Sequence, residues 1–269
     1  MIDAFLNYAF IRNAVFALIL SSIVCALIGV IISEKKMIML TGSVAHTAYG
    51  GVGLGFLIGV NPLLTAMLFA VLSALIIGYF KSRGGKKSDE LIALLWSFGM
   101  ALGILFVYFT KGYPPDMQTY LFGNVLTVTK SDLILMAVLT LIVAFVIIML
   151  FSDCKALLFD EQFLTLRGVK TKLLNYIILV LISLSVVVLI KSVGIILSLA
   201  LLSAPSAASA LFAKRLWARM TLSFVFSLII TLSGLALSHF LLLPAGAVIA
   251  IIAATFYALS LIIAKIKFA

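Results

Sequence analysis

Two histidines and one serine are the side chains of this sequence whose types and positions suggest chemistry in apolar surroundings. His46 lies near the middle of an apolar run, in the segment GSVAHTAYGG of residues 42–51, and Ser43 precedes it by three residues. On a helix these two would share a face with several glycines. A neutral imidazole nitrogen binds soft or borderline cations, so His46, helped by Ser43, is a candidate metal ligand. Simple packing against a second helix is the alternative, since small residues allow close approach.

His239 is a weaker candidate ligand, because it follows Ser233 and Ser238 near the end of its apolar run. A polar residue at headgroup level is the simpler interpretation there. An intramembrane serine hydrolase using Ser43 and His46 is disfavoured, because two residues three apart on a helix have poor geometry for proton transfer. The sequence has no GxxxxGK[ST] phosphate loop and no cysteine or histidine cluster with zinc-site spacing. We therefore expect no catalytic site and no resident cofactor.

The elements that position these residues are long apolar runs. The 269-residue chain is 65% hydrophobic and 10% charged, and runs of about 18–24 apolar residues cross a bilayer as helices. Nine spans fit the sequence: 13–33, 37–58, 61–80, 90–110, 131–151, 173–190, 193–213, 220–242 and 245–264. We predict an all-α, multi-pass membrane protein with one membrane domain over residues 1–269.

The positive charges predict how these spans are oriented. Of the 19 Lys and Arg residues, fifteen fall in alternate loops on one side and four on the other. The four are Arg12, Lys111, Lys130 and Lys191. Because cytoplasmic loops carry the excess of Lys and Arg, the N-terminus is expected outside and the C-terminus in the cytoplasm. The net charge of +10 therefore reports topology, and we expect no nucleic-acid partner.

The longest predicted cytoplasmic loop, residues 153–172, has helix-like spacing of apolar and charged residues. Its residues of interest are Phe159, Asp160, Glu161, Arg167 and Gly168. The glycine is placed to end a helix. A short amphipathic helix results, which either caps the bundle or docks a cytoplasmic partner.

Four segments resemble the membrane permease subunit of the zinc, manganese and iron branch of ATP-driven (ABC) metal importers. They are GSVAHTAYGGVGLG with VNP (42–62), YLFGN (120–124), LFDEQFLTLRGV (158–169) and VGIILSLALLSAPSAASALFAKR (193–215). The resemblance implies a type II importer-like permease in the cell membrane. It also implies a homodimer with a path between two copies. Two cytosolic ATPases would bind the 158–169 segment and supply ATP hydrolysis, and an external metal-binding protein would deliver the ion.

One position departs from the pattern. Many members of this family have an aspartate four residues before the histidine, where this chain has Gly42. His46 is then the remaining candidate ligand, helped by Ser43. Loss of a hard oxygen ligand weakens the case for manganese and mildly favours zinc, with iron a further possibility.

Two other functions are compatible with the pattern. A permease for a metal chelate, such as a siderophore, haem or cobalamin, would keep the architecture but would not need His46. A stand-alone channel or secondary carrier would work without an ATPase. The spans carry no charged side chain at their centres, which argues against a carrier driven by a buried carboxylate relay.

Overall fold

The described part of the chain is helical, with no strand. The structure, a computed structural model, describes residues 8–82, 88–111, 123 and 125–268. Within these residues the helices are, in chain order, α1 (Ala9–Glu34), α2 (Ile38–Ile58), α3 (Pro62–Ser82), α4 (Ser88–Tyr108), a 3-10 turn (Val125–Thr127), α5 (Lys130–Met149), α6 (Phe151–Phe159), α7 (Glu161–Leu166), α8 (Thr171–Phe212), α9 (Leu216–Leu241) and α10 (Ala245–Phe268). The predicted all-α class is confirmed.

Seven of the described helices are long and apolar enough to cross a bilayer, namely α1, α3, α4, α5, α8, α9 and α10. Helix α8 has 42 residues, about 63 Å at 1.5 Å per residue, or twice the bilayer core of about 30 Å. Its backbone is non-helical at Gly194, which lies beside the predicted junction of spans 173–190 and 193–213. The glycine-rich α2 coincides with predicted span 37–58. Counting α2 and both parts of α8, the described chain agrees with about nine spans.

The chain forms two compact units. The first comprises Met1–Lys36, Leu121–Met149 and Val188–Ala269, and the second comprises Met37–Tyr120 and Leu150–Val187. The first unit therefore contains α1, α5, α9 and α10 with the later part of α8. The second contains α2, α3, α4, α6 and α7 with the earlier part of α8.

In the first unit, α1 packs against α5 and α9, and α9 packs against α10. A buried hydroxyl network joins α1 to α9, in which Ser227 Oγ donates to Ser22 Oγ at 3.1 Å. Thr231 Oγ1 lies 3.5 Å from the same oxygen, and Ser22 itself donates to Leu18 O at 2.8 Å. In lipid, such interhelical bonds supply directional contacts that apolar packing lacks. The network specifies the partner and register of α1.

The two ends of the first unit carry separate polar contacts. At one end, Arg219 at the start of α9 pairs with Glu34 at the end of α1. At the other end, Asn13 Nδ2 donates to Val128 O at 3.1 Å, and Lys191 Nζ lies 3.9 Å from a carboxylate in the first turn of α5. Basic residues predicted on opposite sides of the membrane thus lie at opposite ends of this unit. Which end faces the cytoplasm stays a prediction.

In the second unit, glycines allow α2 to lie against both α3 and α4. A Cβ on Gly50 would come within 2.7 Å of Gly99 O, and one on Gly53 within 2.5 Å of Gly103 O. The residue numbers of the contacting pairs rise together along the two helices, so α2 and α4 run parallel. Two further glycines of α2 meet the backbone of α3 in the same way. The glycines near His46 therefore serve close helix packing, as the alternative interpretation of this segment expected.

A third close approach involves Gly123, the part of the YLFGN segment that the structure describes. Gly123 has φ +68° and packs on the backbone of Val193 and Gly194, where φ is +83° and α8 is broken. A Cβ at residue 123 would overlap these backbone atoms. A side chain is excluded there both by space and by the left-handed backbone.

We expect Gly123→Ala to lower the melting temperature of the detergent-solubilised protein more than Gly59→Ala. Gly59 has a similar φ of +71°, but a Cβ added there would meet nothing within 4 Å, so its substitution costs only the backbone term of about 1–2 kcal/mol. At Gly123 the overlap adds roughly 1–3 kcal/mol. Thermal unfolding of both variants measures the difference. Equal shifts would show that the contact with the α8 break does not contribute.

Candidate functional site

His46 lies on α2 with its imidazole stacked on the indole of Trp96, which comes from α4. The ring centroids are 4.4 Å apart and the planes are inclined by 21°. The imidazole is half-buried, and its Nδ1 is buried without a hydrogen-bond partner among the described residues. A buried ring nitrogen without a partner costs free energy unless something else binds it. This nitrogen is therefore a candidate donor atom for a ligand.

Ser43 supplies a second unpartnered atom on the same helix face. Its side chain is fully buried, and Oγ makes no hydrogen bond to any described residue. Its carbonyl oxygen accepts a bond from Thr47 Oγ1 at 2.7 Å, and that hydroxyl also lies 3.3 Å from Leu95 O on α4. Thr47 therefore helps to hold α2 against α4. Ser43 and His46 lie three residues apart on α2, which packs against α4, and their role as ligands stays a prediction.

Trp96 is the residue of this site that the sequence analysis missed. A Cβ at Gly42 would lie 2.6 Å from Trp96 Cζ3 and 2.9 Å from Cη2. The indole therefore occupies the space that a side chain at residue 42 would need. The sequence carries one signal that these residues share a helix face. Trp96, Gly99 and Gly103 are spaced by three and four residues, and Gly42 is likewise followed by small residues at helical spacing.

His239 lies in different surroundings, in the last turn of α9 in the first unit. It is exposed and lines an apolar cavity of about 270 Å³ together with Ser238 and six apolar side chains, namely Phe10, Ile11, Leu126, Leu235, Leu242 and Leu243. The neighbouring Ser238 Oγ is engaged, because it donates to Leu243 O at 2.6 Å. These surroundings offer a cation few additional ligands. Across the described residues no group of three or more His, Cys, Asp or Glu side chains is placed to hold a metal.

The predicted amphipathic segment is a sharply bounded short helix, α7. Asp160 is its N-cap, since its carboxylate accepts bonds from the backbone N–H groups of Gln162 at 2.9 Å and Phe163 at 3.0 Å. Arg167 is the C-cap, and Gly168 follows in the left-handed conformation with φ +82°. The predicted role of Gly168 at the helix end is confirmed. The Asp160 carboxylate is thereby hydrogen-bonded within its own segment, where it stabilises the start of α7.

The apolar side chains of this segment differ sharply in their exposure. Phe159 is 79% exposed and Leu166 is 87% exposed, whereas Leu164 is 1% exposed. Glu161 accepts a bond from Asn175 Nδ2 at 2.7 Å, which attaches α7 to the start of α8. The Arg167 guanidinium lies 5.8 Å from the centre of the Phe163 ring. Phe159 at the end of α6 and Phe163 and Leu166 on α7 are thus exposed apolar side chains of a segment whose short helix has fixed ends, and we call these three residues the apolar edge.

Comparison with known families decides the class of the protein. A family model described as ABC 3 transport family matches residues 7–264. The chain belongs to the ABC 3 transport family. With the apolar helices described above, it is a multi-pass membrane protein.

Relatives of this ABC 3 family chain match over nearly its whole length. It is 37% identical over 256 residues to an uncharacterized membrane protein of Synechocystis sp., covering 95% of this chain and 91% of the relative. It is 32% identical over 263 residues to the manganese import system permease protein ScaB of Streptococcus parasanguinis, covering 98% and 94%. The solved structure of PsaBC from Streptococcus pneumoniae in complex with Fab matches with a TM-score of 0.87 and 30% identity, over 96% of this chain and 93% of that one.

Proposed function

We propose that this ABC 3 family chain is the membrane permease of an ATP-driven importer of divalent metal ions. The observation that carries the proposal is that His46 Nδ1 and Ser43 Oγ, three residues apart on α2, are both buried without a hydrogen-bond partner among the described residues. Membership in the family and the name of the relative ScaB, a manganese import permease, support it. The chain itself performs no chemistry, and ATP hydrolysis takes place on a partner subunit.

The named relative and the donor atoms of the site favour different ions. The name of ScaB favours manganese. The donor atoms favour zinc, because an imidazole nitrogen with a hydroxyl and no carboxylate suits a borderline cation better than a hard one. The proposed cargo is therefore Mn²⁺ or Zn²⁺, with Fe²⁺ as a further substrate to be tested in the same assay.

Three partners belong to this proposal. The apolar edge suits a cytosolic ATPase, because exposed aromatic and aliphatic side chains on a rigid helix form good binding anchors. A second copy of the chain would complete the translocation path, and an extracytoplasmic binding protein would deliver the ion. His239, at the opposite end of its unit from the Glu34–Arg219 pair, is kept as a weaker candidate contact on the entry side.

The proposed orientation has the N-terminus outside and the C-terminus in the cytoplasm, so that the apolar edge faces ATP. Cysteines introduced at Val60 and Lys170, both exposed, test it directly. We expect Val60→Cys to react with an impermeant thiol reagent in intact cells and Lys170→Cys to react only after permeabilisation. The native Cys25 and Cys154 are buried, so the chain without an introduced cysteine provides the background level of labelling. The reverse labelling pattern would invert the topology and remove the docking assignment.

The function is tested by uptake of radioactive manganese and zinc into cells that express the chain with its ATPase and binding protein. We expect uptake of free ions that is lost when the ATPase carries an inactive catalytic site. Uptake that continues without ATP hydrolysis would identify a stand-alone channel or secondary carrier. Uptake of a siderophore, haem or cobalamin complex, with no uptake of the free ion, would identify a chelate permease.

A further inference from the structure

The indole of Trp96 lies between α2 and α4 and makes two contacts with the proposed site. It stacks on the His46 imidazole at 4.4 Å between centroids, and it fills the space beside Gly42. Both contacts are within the second unit of the chain. Residue 42 lies one helical turn before His46, so a side chain there would share the face of the imidazole.

The indole determines which atoms can approach a bound cation. A cation binds an imidazole through a ring nitrogen and in the plane of the ring, so the indole stacked on one ring face sets the plane in which a cation can be bound. The nearby Nδ1 has no partner among the described residues. A side chain at residue 42 would place its Cβ at 2.6 Å from Trp96 Cζ3, which is well inside van der Waals contact, so an oxygen ligand from this position requires the indole to move.

We propose that Trp96 is a positioning and specificity-determining residue. It fixes the plane of the His46 ring and fills the space that a side chain at residue 42 would need, so that the site offers nitrogen and hydroxyl ligands and discriminates in favour of imidazole-preferring ions such as Zn²⁺ over harder ions such as Mn²⁺. This inference rests on the proposed function, because it assigns the ion preference of the same site.

The transport test compares Gly42→Asp, Trp96→Ala and the double variant at matched amounts in the membrane. We expect Gly42→Asp alone to lose transport of both ions, because the carboxylate side chain collides with the indole. The double variant should transport again, with a ratio of manganese to zinc uptake about tenfold higher than that of Trp96→Ala, the order of a change in one metal-site interaction. A ratio that is the same in the double variant and in Trp96→Ala would overturn the inference.

A Zn²⁺-binding measurement tests the role of Trp96 without the double variant. The chain has two tryptophans, so Trp217→Phe leaves Trp96 as the single fluorophore. Trp217 lies in the first unit and is 50% exposed. We expect Zn²⁺ to change the emission of Trp96 in this permease and His46→Gln to abolish the change. The matched control is Trp96→Phe, in which Trp217 should not respond.

The outcomes distinguish a failure of the proposed function from a failure of the role of Trp96. A wild-type permease that transports neither free ion would refute the proposed function itself. A permease that transports zinc while Trp96 emission stays constant at saturating Zn²⁺ would refute only the role of Trp96. Equal loss of zinc and manganese uptake in Trp96→Phe, with an unchanged ratio and a lower melting temperature, would show that the indole only stabilises the fold.

Discussion

Replacing His46 with alanine is expected to reduce metal uptake by about 100-fold, the upper end of what altered metal-site contacts cost in affinity. The physical reason is that the chain has one imidazole on this face and no carboxylate there to replace it. Uptake of radioactive zinc and manganese, normalised to the amount of protein in the membrane, measures the effect.

The controls for this prediction separate ligation from packing. His46→Ala also removes the ring that stacks on Trp96, so His46→Gln is the better-matched variant, since it keeps a polar side chain of similar length. We expect Gln to fold as well as wild type and still to lose most uptake. His239→Ala should retain most uptake, because His239 is exposed at the edge of an apolar cavity. Near-normal transport by His46→Gln would remove His46 from the path.

The second large effect is expected at the apolar edge. Changing both Phe159 and Leu166 to serine should prevent co-purification with the ATPase, because buried aromatic and aliphatic anchors each contribute about 2 kcal/mol or more to an interface, roughly 30-fold in affinity. Both side chains are largely exposed in the isolated chain, so the fold should be retained. Pull-down and metal-stimulated ATP hydrolysis measure the result.

An exposed leucine in the first unit provides the matched control. Leu242 is 90% exposed, after the end of α9, and Leu242→Ser should leave the ATPase bound. A complex that survives the double substitution at Phe159 and Leu166 with normal coupled hydrolysis would exclude this surface as the dock.

The structure also refines what the charged residues of this segment are expected to do. Asp160 caps α7, so Asp160→Asn should keep the dock intact and Asp160→Lys should weaken it, because asparagine retains the cap and lysine removes it. Loss of a cap costs about 1 kcal/mol. Equal loss of ATPase binding in both variants would instead assign the charge of Asp160 to the interface.

The sequence by itself determined the features that depend on local composition and spacing. Apolar runs long enough for a bilayer predicted the all-helical membrane class, and the junction near Lys191 coincides with the break at Gly194. Helix-like spacing and Gly168 predicted the short helix in the 153–172 loop, because capping uses residues close in the chain. His46 and Ser43 were predicted to share a face because helical periodicity alone places them there.

Other features depended on the tertiary structure, because they join residues distant in the chain. Periodicity showed that one face of α2 is small, but it did not say that α4 lies on that face, or that the side chain of Trp96 takes the space beside Gly42. The partner of Glu161 was likewise decided in three dimensions, since Asn175 Nδ2 donates to its carboxylate from the start of α8. The residue pattern of one helix predicts which of its faces another helix can pack against. The packing between helices then determines which side chain lies on that face.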